Sequence, residues 1–260
     1  MERYNRICRT GGGRNWHAAG EQEFKFRFWI FGGIYWLSFL LYVFDPKNAG
    51  FALGQAIAKL RHCAPGGSDV HAVFFAAALL ALLAAALRTW ATGYLRPEIV
   101  VDGTVHSSRL VADGPYRFVR NPLYLGNMLL AVAFAAMASR LGAVALVAGH
   151  ALFLPRLIAR EEQALTAGHR EAYAAYFRSV PKLVPALSPR VAASGHPFSL
   201  SAGLLGEGFF WGMALSVTVF AVTASLKWFY ATLALAFAVY FACLPVIKKR
   251  QRRTPEFPEF

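Results

Sequence analysis

Hydrophobic residues are grouped along this chain in long blocks that polar stretches separate. The blocks are roughly 16–22 residues long, close to the ~20 residues that an α-helix needs to cross the hydrocarbon core of a bilayer. They are Phe24–Phe44, Val70–Ala91, Leu123–Ala138, Leu141–Ile158, Phe209–Leu226 and Trp228–Ile247. The pattern predicts an all-α integral membrane bundle of about six transmembrane helices.

The third and fourth blocks leave a second arrangement open. They are the shortest, and only Ser139 and Arg140 separate them. A tight hairpin of short helices that does not fully cross the membrane is therefore an alternative. It would lower the count to four spans plus a re-entrant pair.

Composition and charge support a membrane protein and give its orientation. Of the 260 residues, 57% are hydrophobic and 16% charged, which is too apolar for an ordinary soluble domain. Of the 27 Lys and Arg residues, 22 fall in segments on one side of the predicted bundle and five on the other. Since cytoplasmic loops retain excess Lys and Arg, we expect both termini in the cytoplasm, in a prokaryotic-type inner membrane. The net charge of +13 comes with no base-reading motif, so no nucleic-acid partner is expected.

The polar middle of the chain organises what we interpret as one membrane domain, residues 1–260. A core at 92–190 begins with a loop, Arg96–Tyr116, in which Gly and Pro mark turns. Pro155 is expected to kink or end the fourth helix and to start an amphipathic continuation that stops at Gly168. A short helix at 170–178, an irregular linker at 185–208 and a C-terminal helical pair at 209–247 follow.

The first polar cluster, Gly114–Gly126, has the sequence GPYRFVRNPLYLG. Pro122 stands where the first helical residue is predicted, and free N–H groups at a helix N-terminus beside Arg120 suit a carboxylate or another anion. Tyr116 and Tyr124 are placed to contact an aromatic ring or a ribose. The alternative is that the arginines anchor the topology and the tyrosines belong to an interfacial aromatic belt.

The second polar cluster lies on the continuation of the fourth block. Arg156 and Arg160 are one helical turn apart, and Glu161 shares a face with the neighbouring leucines, so it is expected to point toward packing or a cavity. A carboxylate near the membrane surface is costly unless paired, which favours an Arg–Glu arrangement. The alternative is a solvated amphipathic helix at the interface.

Together the clusters resemble the isoprenylcysteine carboxyl methyltransferases and the related phospholipid methyltransferases. The resemblance covers about residues 90–186 and rests on Gly114–Gly126, on REEQAL at Arg160–Leu165, on Tyr173 with Tyr176, and on Val180-Pro181. It implies S-adenosylmethionine as cofactor, bound on the cytoplasmic side, and a lipid or lipophilic small-molecule acceptor that enters from the bilayer. The implied cofactor-binding residues are Gly114, Tyr116, Arg120, Asn121, Pro122, Tyr124, Gly126, Glu161 and Glu162. The implied catalytic residues are Glu161 and an arginine that corresponds to Arg156 or Arg160, and the spacing does not decide between these two.

The chain departs from the family pattern at Asn121, where relatives carry His. Asparagine still forms hydrogen bonds but does not titrate near neutral pH. If the family His positions the cofactor, activity survives the replacement; if it moves a proton, activity is lost.

The acceptor decides which residues the chemistry needs. A carboxylate acceptor, slightly favoured, needs a cation such as Arg156 or Arg160 to hold its oxygen and no general base. A phospholipid amine or a small thiol needs a deprotonation route, for which Glu161 or Glu162 is the candidate. The rival from another class is a non-catalytic scaffold or carrier. No His, Cys, Asp or Glu spacing indicates a metal site, and the sequence sets no oligomeric state.

Overall fold

The computed structural model describes residues 18–62, 67–95, 111–168 and 170–251. These residues are mostly helical, and their β-type pairing is a single isolated bridge between Asn48 and Ser139. The helices are α1 (Glu21–Lys25), α2 (Arg27–Leu40), α3 (Ala49–Leu60), α4 (Gly67–Leu95), α5 (Pro122–Ala135), α6 (Arg140–Gly168), α7 (Arg170–Ser179), α8 (Leu200–Gly206), α9 (Gly208–Thr223) and α10 (Leu226–Gln251). Two 3₁₀ turns, Leu41–Val43 and Gly114–Arg117, follow α2 and precede α5. The all-α prediction is confirmed.

Every predicted hydrophobic block coincides with a helix, but the helices differ in length. Within the described residues, three are long and apolar enough to cross a membrane: Ser68–Leu95, Arg140–Ala167 and Leu226–Pro245. Helices α8 and α9 together make a fourth candidate, although they are bent by 67° at their junction. The apolar helices Arg27–Val43 and Pro122–Ala135 are shorter. Three to four candidate spans therefore stand where the sequence predicted about six.

The alternative of a hairpin of two short helices is wrong for its second member. Helix α5 is short, with 14 residues, but α6 has 29 and continues through Pro155 to Gly168. The sequence had placed a kink or an end at Pro155, since a proline inside a helix removes a hydrogen bond and costs roughly 3 kcal/mol. Leu154, Leu157 and Ile158 around it are fully buried, so tertiary packing offsets that cost. The predicted continuation to Gly168 and the short helix after it are both present.

Helix α4 lies at the centre of the bundle and packs against α3, α5, α8 and α9. Its buried surface is made largely of alanines: Ala77, Ala78, Ala81, Ala84 and Ala85. Small side chains let helix backbones approach closely, and this close packing drives association where lipid gives no hydrophobic incentive. The larger core residues Phe134, Phe220 and Phe229 come from the helices around it.

The linker before the last helices is less irregular than predicted. Residues 200–206 form α8, and Glu207 at its junction with α9 is completely buried. Several of the charges used for orientation lie outside the described residues, as do residues 96–110 of the polar loop. The cytoplasmic placement of the termini thus stays a prediction.

Candidate functional site

The first polar cluster folds as a 3₁₀ turn followed by the start of α5, with Pro122 as the first helical residue, as predicted. Asn121 occupies the position before the helix, but its side chain does not cap it. Instead, Asn121 Nδ2 donates to the carbonyl oxygen of Lys182 at 3.1 Å and lies 3.4 Å from Glu162 Oε1. The asparagine at the family's His position therefore joins α5 to α6 and to the segment after α7.

Two glycines of this cluster stand where a side chain would collide with a neighbour. Gly114 has a positive φ of 53°, a conformation that favours glycine, and Tyr94 lies against the space of its missing Cβ. Gly126 faces the aliphatic stem of Arg88, which passes over it to reach α5. Both glycines allow α4 to lie close to the cluster. Their contribution to the predicted site is therefore structural.

Glu162 is the centre of a buried polar group. Its Oε1 lies 3.3 Å from Arg120 Nε, and the two side chains are 12% and 8% exposed. Lys182 Nζ lies 4.0 Å from the other oxygen. Arg120 also donates to the carbonyl oxygen of Phe177 and lies over its ring at 3.9 Å. The arginine that the sequence singled out is thus held between α6 and α7.

Glu161, the neighbour of Glu162 on α6, forms a separate contact with α5. Its Oε1 accepts a hydrogen bond of 2.7 Å from the hydroxyl of Tyr124 on α5. Tyr124 packs in an apolar cluster with Phe153, Leu157 and other residues of α6. The predicted direction of Glu161, toward packing, is confirmed, although its hydrogen-bond partner is a tyrosine rather than the expected arginine.

Arg156 and Arg160 point to the segment that precedes α2. Arg156 Nη2 lies 2.8 and 2.7 Å from the two carboxylate oxygens of Glu23. Arg160 Nη1 donates to the carbonyl oxygen of Ala19 at 3.1 Å. The Arg–Glu pairing expected within the α6 cluster is thus not formed by Arg156, which pairs instead with a carboxylate of the N-terminal segment, about 130 residues away in sequence.

Three buried polar atoms identify where a ligand would find donors. Among the described residues, the buried side-chain nitrogen and oxygen atoms without a hydrogen-bond partner are Tyr116 Oη, Arg120 Nε and Arg160 Nε. Arg120 Nε touches Glu162 as an ion pair but lacks hydrogen-bond geometry. Burial raises the pKa of Tyr116 well above its usual value, so its hydroxyl remains a proton donor. Buried donors are normally satisfied, and all three belong to residues predicted from sequence to form the site.

The donor set fits the polar end of S-adenosylmethionine, a carboxylate beside an ammonium group. Guanidinium and hydroxyl donors suit the carboxylate, while Glu161 and Glu162 supply acceptors for the ammonium group. Tyr173 and Tyr176, with Phe177, form an aromatic cluster on α7. Tyr176 Oη donates to the carbonyl oxygen of Tyr116, which fixes α7 against the 3₁₀ turn.

Sequence reasoning missed the most buried ion pair of the described residues. Arg88 Nε and Nη2 on α4 lie 2.6 and 3.0 Å from the carboxylate oxygens of Glu207, at the junction of α8 and α9. Arg88 Nη1 donates to the carbonyl oxygen of Leu123 and to Asn127 Oδ1, both on α5. The available signal was Arg88 itself, a charge within an apolar block, which normally requires a buried partner.

Asp113 is a second missed residue. The segment after α7 returns along the 3₁₀ turn, and Ser194 Oγ together with the backbone N–H groups of Gly195 and His196 donates to the Asp113 carboxylate. Burial by itself raises the pKa of Asp113, but these hydrogen bonds and one from the His196 ring more than offset it, so the pKa falls to about 2. The carboxylate fastens this returning segment to the cluster.

His150 on α6 is buried among the aromatic residues of α2. Its Nδ1 is 2.9 Å from the carbonyl oxygen of Leu146 on its own helix. Its ring stacks on Phe31 and meets Tyr35 edge-on, both from α2. These contacts assign it to helix packing.

Comparison with known proteins identifies the segment that carries most of these residues. Residues 72–172 match the phospholipid methyltransferase family. The predicted resemblance is thereby confirmed, and with the apolar helices it supports a membrane methyltransferase. Arg88, Arg120 and the Glu161–Glu162 pair lie within the phospholipid methyltransferase segment, whereas Glu23, Asn48 and Glu207 lie outside it.

Two relatives extend the similarity beyond that segment. The nickel-cobalt-cadmium resistance protein NccN of Alcaligenes xylosoxydans xylosoxydans is 29% identical over 167 residues, covering 63% of this chain and 78% of NccN. The cobalt-zinc-cadmium resistance protein CzcN of Cupriavidus metallidurans is 30% identical over 145 residues, covering 54% of this chain and 65% of CzcN. No solved structure matches the chain.

Proposed function

We propose that this protein is an S-adenosylmethionine-dependent methyltransferase that acts in a membrane on a lipophilic or small apolar acceptor, with a carboxylate acceptor favoured. The observation that carries the proposal is the presence of three buried donors without a hydrogen-bond partner among the described residues, on Tyr116, Arg120 and Arg160. Leaving a buried donor unsatisfied costs about 1–3 kcal/mol. A ligand with anionic oxygens would remove that cost.

The roles that we propose for the residues follow from the positions of their side chains. Arg120 and Tyr116 bind the cofactor carboxylate, and Asn121 orients Glu162, which together with Glu161 receives the cofactor ammonium group. Gly114, Pro122, Tyr124 and Gly126 shape this pocket. Since Asn121 bonds to a backbone carbonyl and to Glu162, we assign it the positioning role rather than proton transfer, so its replacement of His is compatible with activity.

The chemistry asked of the remaining residues is small. The bound cofactor supplies a methyl group already activated as a sulfonium. Arg160, with Arg156 beside it, holds the acceptor oxygen in line with the methyl group. The apolar surroundings exclude water from the reaction. A carboxylate acceptor has no proton to lose. An amine or thiol acceptor would need Glu161 to take up its proton, and one oxygen of that carboxylate already accepts a hydrogen bond from Tyr124. A carboxylate acceptor, which needs no base, is therefore favoured.

The proposed setting is a bacterial inner membrane, with six membrane-embedded helices and both termini in the cytoplasm. The 92–190 core forms the cofactor region, and the 209–247 pair anchors it. The shorter helices α2 and α5 count as partial or tilted spans in this arrangement. The charge asymmetry along the sequence supports this orientation.

Calorimetric titration of the detergent-purified protein with S-adenosylmethionine and with S-adenosylhomocysteine tests the proposal. We expect saturable binding of both, followed by transfer of a labelled methyl group into an extract of bacterial lipids and small lipophilic acids. Folded protein that binds neither compound would favour the non-catalytic scaffold or carrier.

The names of NccN and CzcN support a second, compatible proposal: that the methyl transfer contributes to resistance against divalent transition metals. The test measures growth in cobalt or cadmium. It compares the parent strain, a strain lacking this gene, and the same deletion strain supplied in trans with the Arg120→Gln variant. Equal growth of all strains would separate this chain from the role in its relatives' names.

A further inference from the structure

The segment before α2 is docked on the α6 surface that carries both candidate catalytic arginines. The backbone N–H of Ala19 donates to the carbonyl oxygen of Arg156 at 2.9 Å, and Arg160 donates back to the carbonyl oxygen of Ala19. Ala19 and Phe24 are each 3% exposed, and both belong to the apolar cluster of α6. The segment is therefore a fixed wall of the site.

Glu23 is the charged residue of this segment that contacts Arg156. Its carboxylate meets the Arg156 guanidinium at 2.7 and 2.8 Å, which is the contact that an acceptor carboxylate would make with the same arginine. Gly20 N–H donates to the same carboxylate at 2.6 Å and holds it in place. A carboxylate of the protein itself thus occupies the position that the proposed reaction needs for its acceptor.

The Glu23–Arg156 pair is much more exposed to solvent than the pair formed by Glu162 and Arg120. Both members of the first pair are 39% exposed, whereas those of the second are 12% and 8% exposed. Water solvates half-exposed charges in either arrangement, so such a pair contributes little to stability and separates readily. Because Phe24 anchors the backbone, the exchange needs only a rotation of the Glu23 side chain, which also breaks its hydrogen bond from Gly20 N–H.

We propose that Glu23 is a specificity-determining residue that covers Arg156 and yields it to an acceptor carrying a carboxylate. When Glu23 rotates away, an anionic acceptor brings another negative charge to Arg156, and a neutral acceptor does not. The exchange therefore favours anionic acceptors. This inference rests on the proposed methyltransferase function and assigns a role to a residue outside the family-matched segment.

The experiment compares wild type with Glu23→Gln, a change that keeps the size of the side chain and removes its charge. Glu21→Gln is the matched control, since Glu21 is on the same short helix and exposed. The probes are N-acetyl-S-farnesylcysteine, which has a free carboxylate, and its primary amide. Both are titrated in the presence of S-adenosylhomocysteine, and S-adenosylmethionine binding is measured separately.

We expect Glu23→Gln to tighten binding of the carboxylate probe by roughly two- to fivefold, as release of a half-exposed pair implies. The amide and S-adenosylmethionine should bind as they do to wild type, and Glu21→Gln should change nothing. Equal effects on both probes, no effect, or weaker carboxylate binding would overturn the proposal. Loss of folded protein in Glu23→Gln alone would assign Glu23 a structural role and overturn it as well. Failure of wild type to bind S-adenosylmethionine would instead remove the proposed function.

Discussion

Tyr124 and Glu161 join the two helices of the candidate site through a hydrogen bond of 2.7 Å between the tyrosine hydroxyl and the carboxylate. Tyr124→Phe removes the donor and leaves a carboxylate with one partner fewer in an apolar cluster. We expect the free energy of unfolding to fall by about 1–3 kcal/mol and S-adenosylmethionine affinity to fall with it. Thermal unfolding and calorimetry in detergent measure the two effects.

Tyr42→Phe is the matched control for that variant. Tyr42 donates to the carbonyl oxygen of Met137, two residues beyond the C-terminal end of α5. Its removal should lower stability without changing cofactor affinity. Equal losses of affinity in both variants would contradict the assignment of Tyr124 to the site.

Arg120→Gln should weaken S-adenosylmethionine binding. The variant removes the buried charge beside Glu162 and the Nε donor that has no hydrogen-bond partner. A charge-assisted hydrogen bond contributes about 1.5–3 kcal/mol, so the dissociation constant should rise roughly ten- to a hundredfold. Arg178→Gln at the exposed end of α7 should leave it unchanged; an unchanged affinity in Arg120→Gln would exclude Arg120 from the site.

The Arg88–Glu207 pair should behave as a buried pair whose members depend on each other. Glu207→Ala leaves the Arg88 charge without its carboxylate in the bundle, and we expect a loss of about 3–5 kcal/mol in unfolding free energy. The double variant Arg88→Met with Glu207→Leu should recover most of that loss. Denaturation of the three proteins provides the comparison, and a double variant less stable than Glu207→Ala would show that the hydrogen bonds of Arg88 to α5 matter more than the pair.

Gly126→Ala should disturb the site through the stem of Arg88. The added methyl group would collide with Arg88 Cγ, and overpacking of this kind costs about 1–3 kcal/mol. Gly33→Ala on α2 meets nothing within 4 Å and should be neutral or slightly stabilising. A difference in melting temperature between the two variants checks this expectation.

Asp113 should make stability depend on pH at the acidic end. Because its folded-state pKa is about 2, below the unfolded value of roughly 3.9, its contribution is complete above about pH 4 and disappears as the pH falls toward 2. The shift corresponds to roughly 2 kcal/mol. Asp113→Asn should be less stable at neutral pH and should lose less stability than wild type between pH 4 and pH 2; parallel pH profiles would contradict the assignment.

The sequence by itself determined the local features of this protein. Hydrophobic blocks gave the helices because burial in lipid requires continuous apolar surface, Pro122 marked the start of α5, and the spacing of Glu161 from Leu157 gave its direction. These signals depend on neighbours within a few turns of the same helix, so a single sequence contains them. The order of the two polar clusters also indicated the resemblance to the phospholipid methyltransferase family.

Only the tertiary structure decided which polar groups meet. Arg88 pairs with Glu207 and Arg156 with Glu23, across 119 and 133 positions of the chain. No periodicity relates such residues, because their distance depends on how whole helices pack and where α8 and α9 bend. The same packing carried α6 through Pro155 and left Tyr116, Arg120 and Arg160 with buried donors that have no partner in the described part of the protein. A site of this kind depends on contacts between helices, and the sequence pattern describes each helix one at a time.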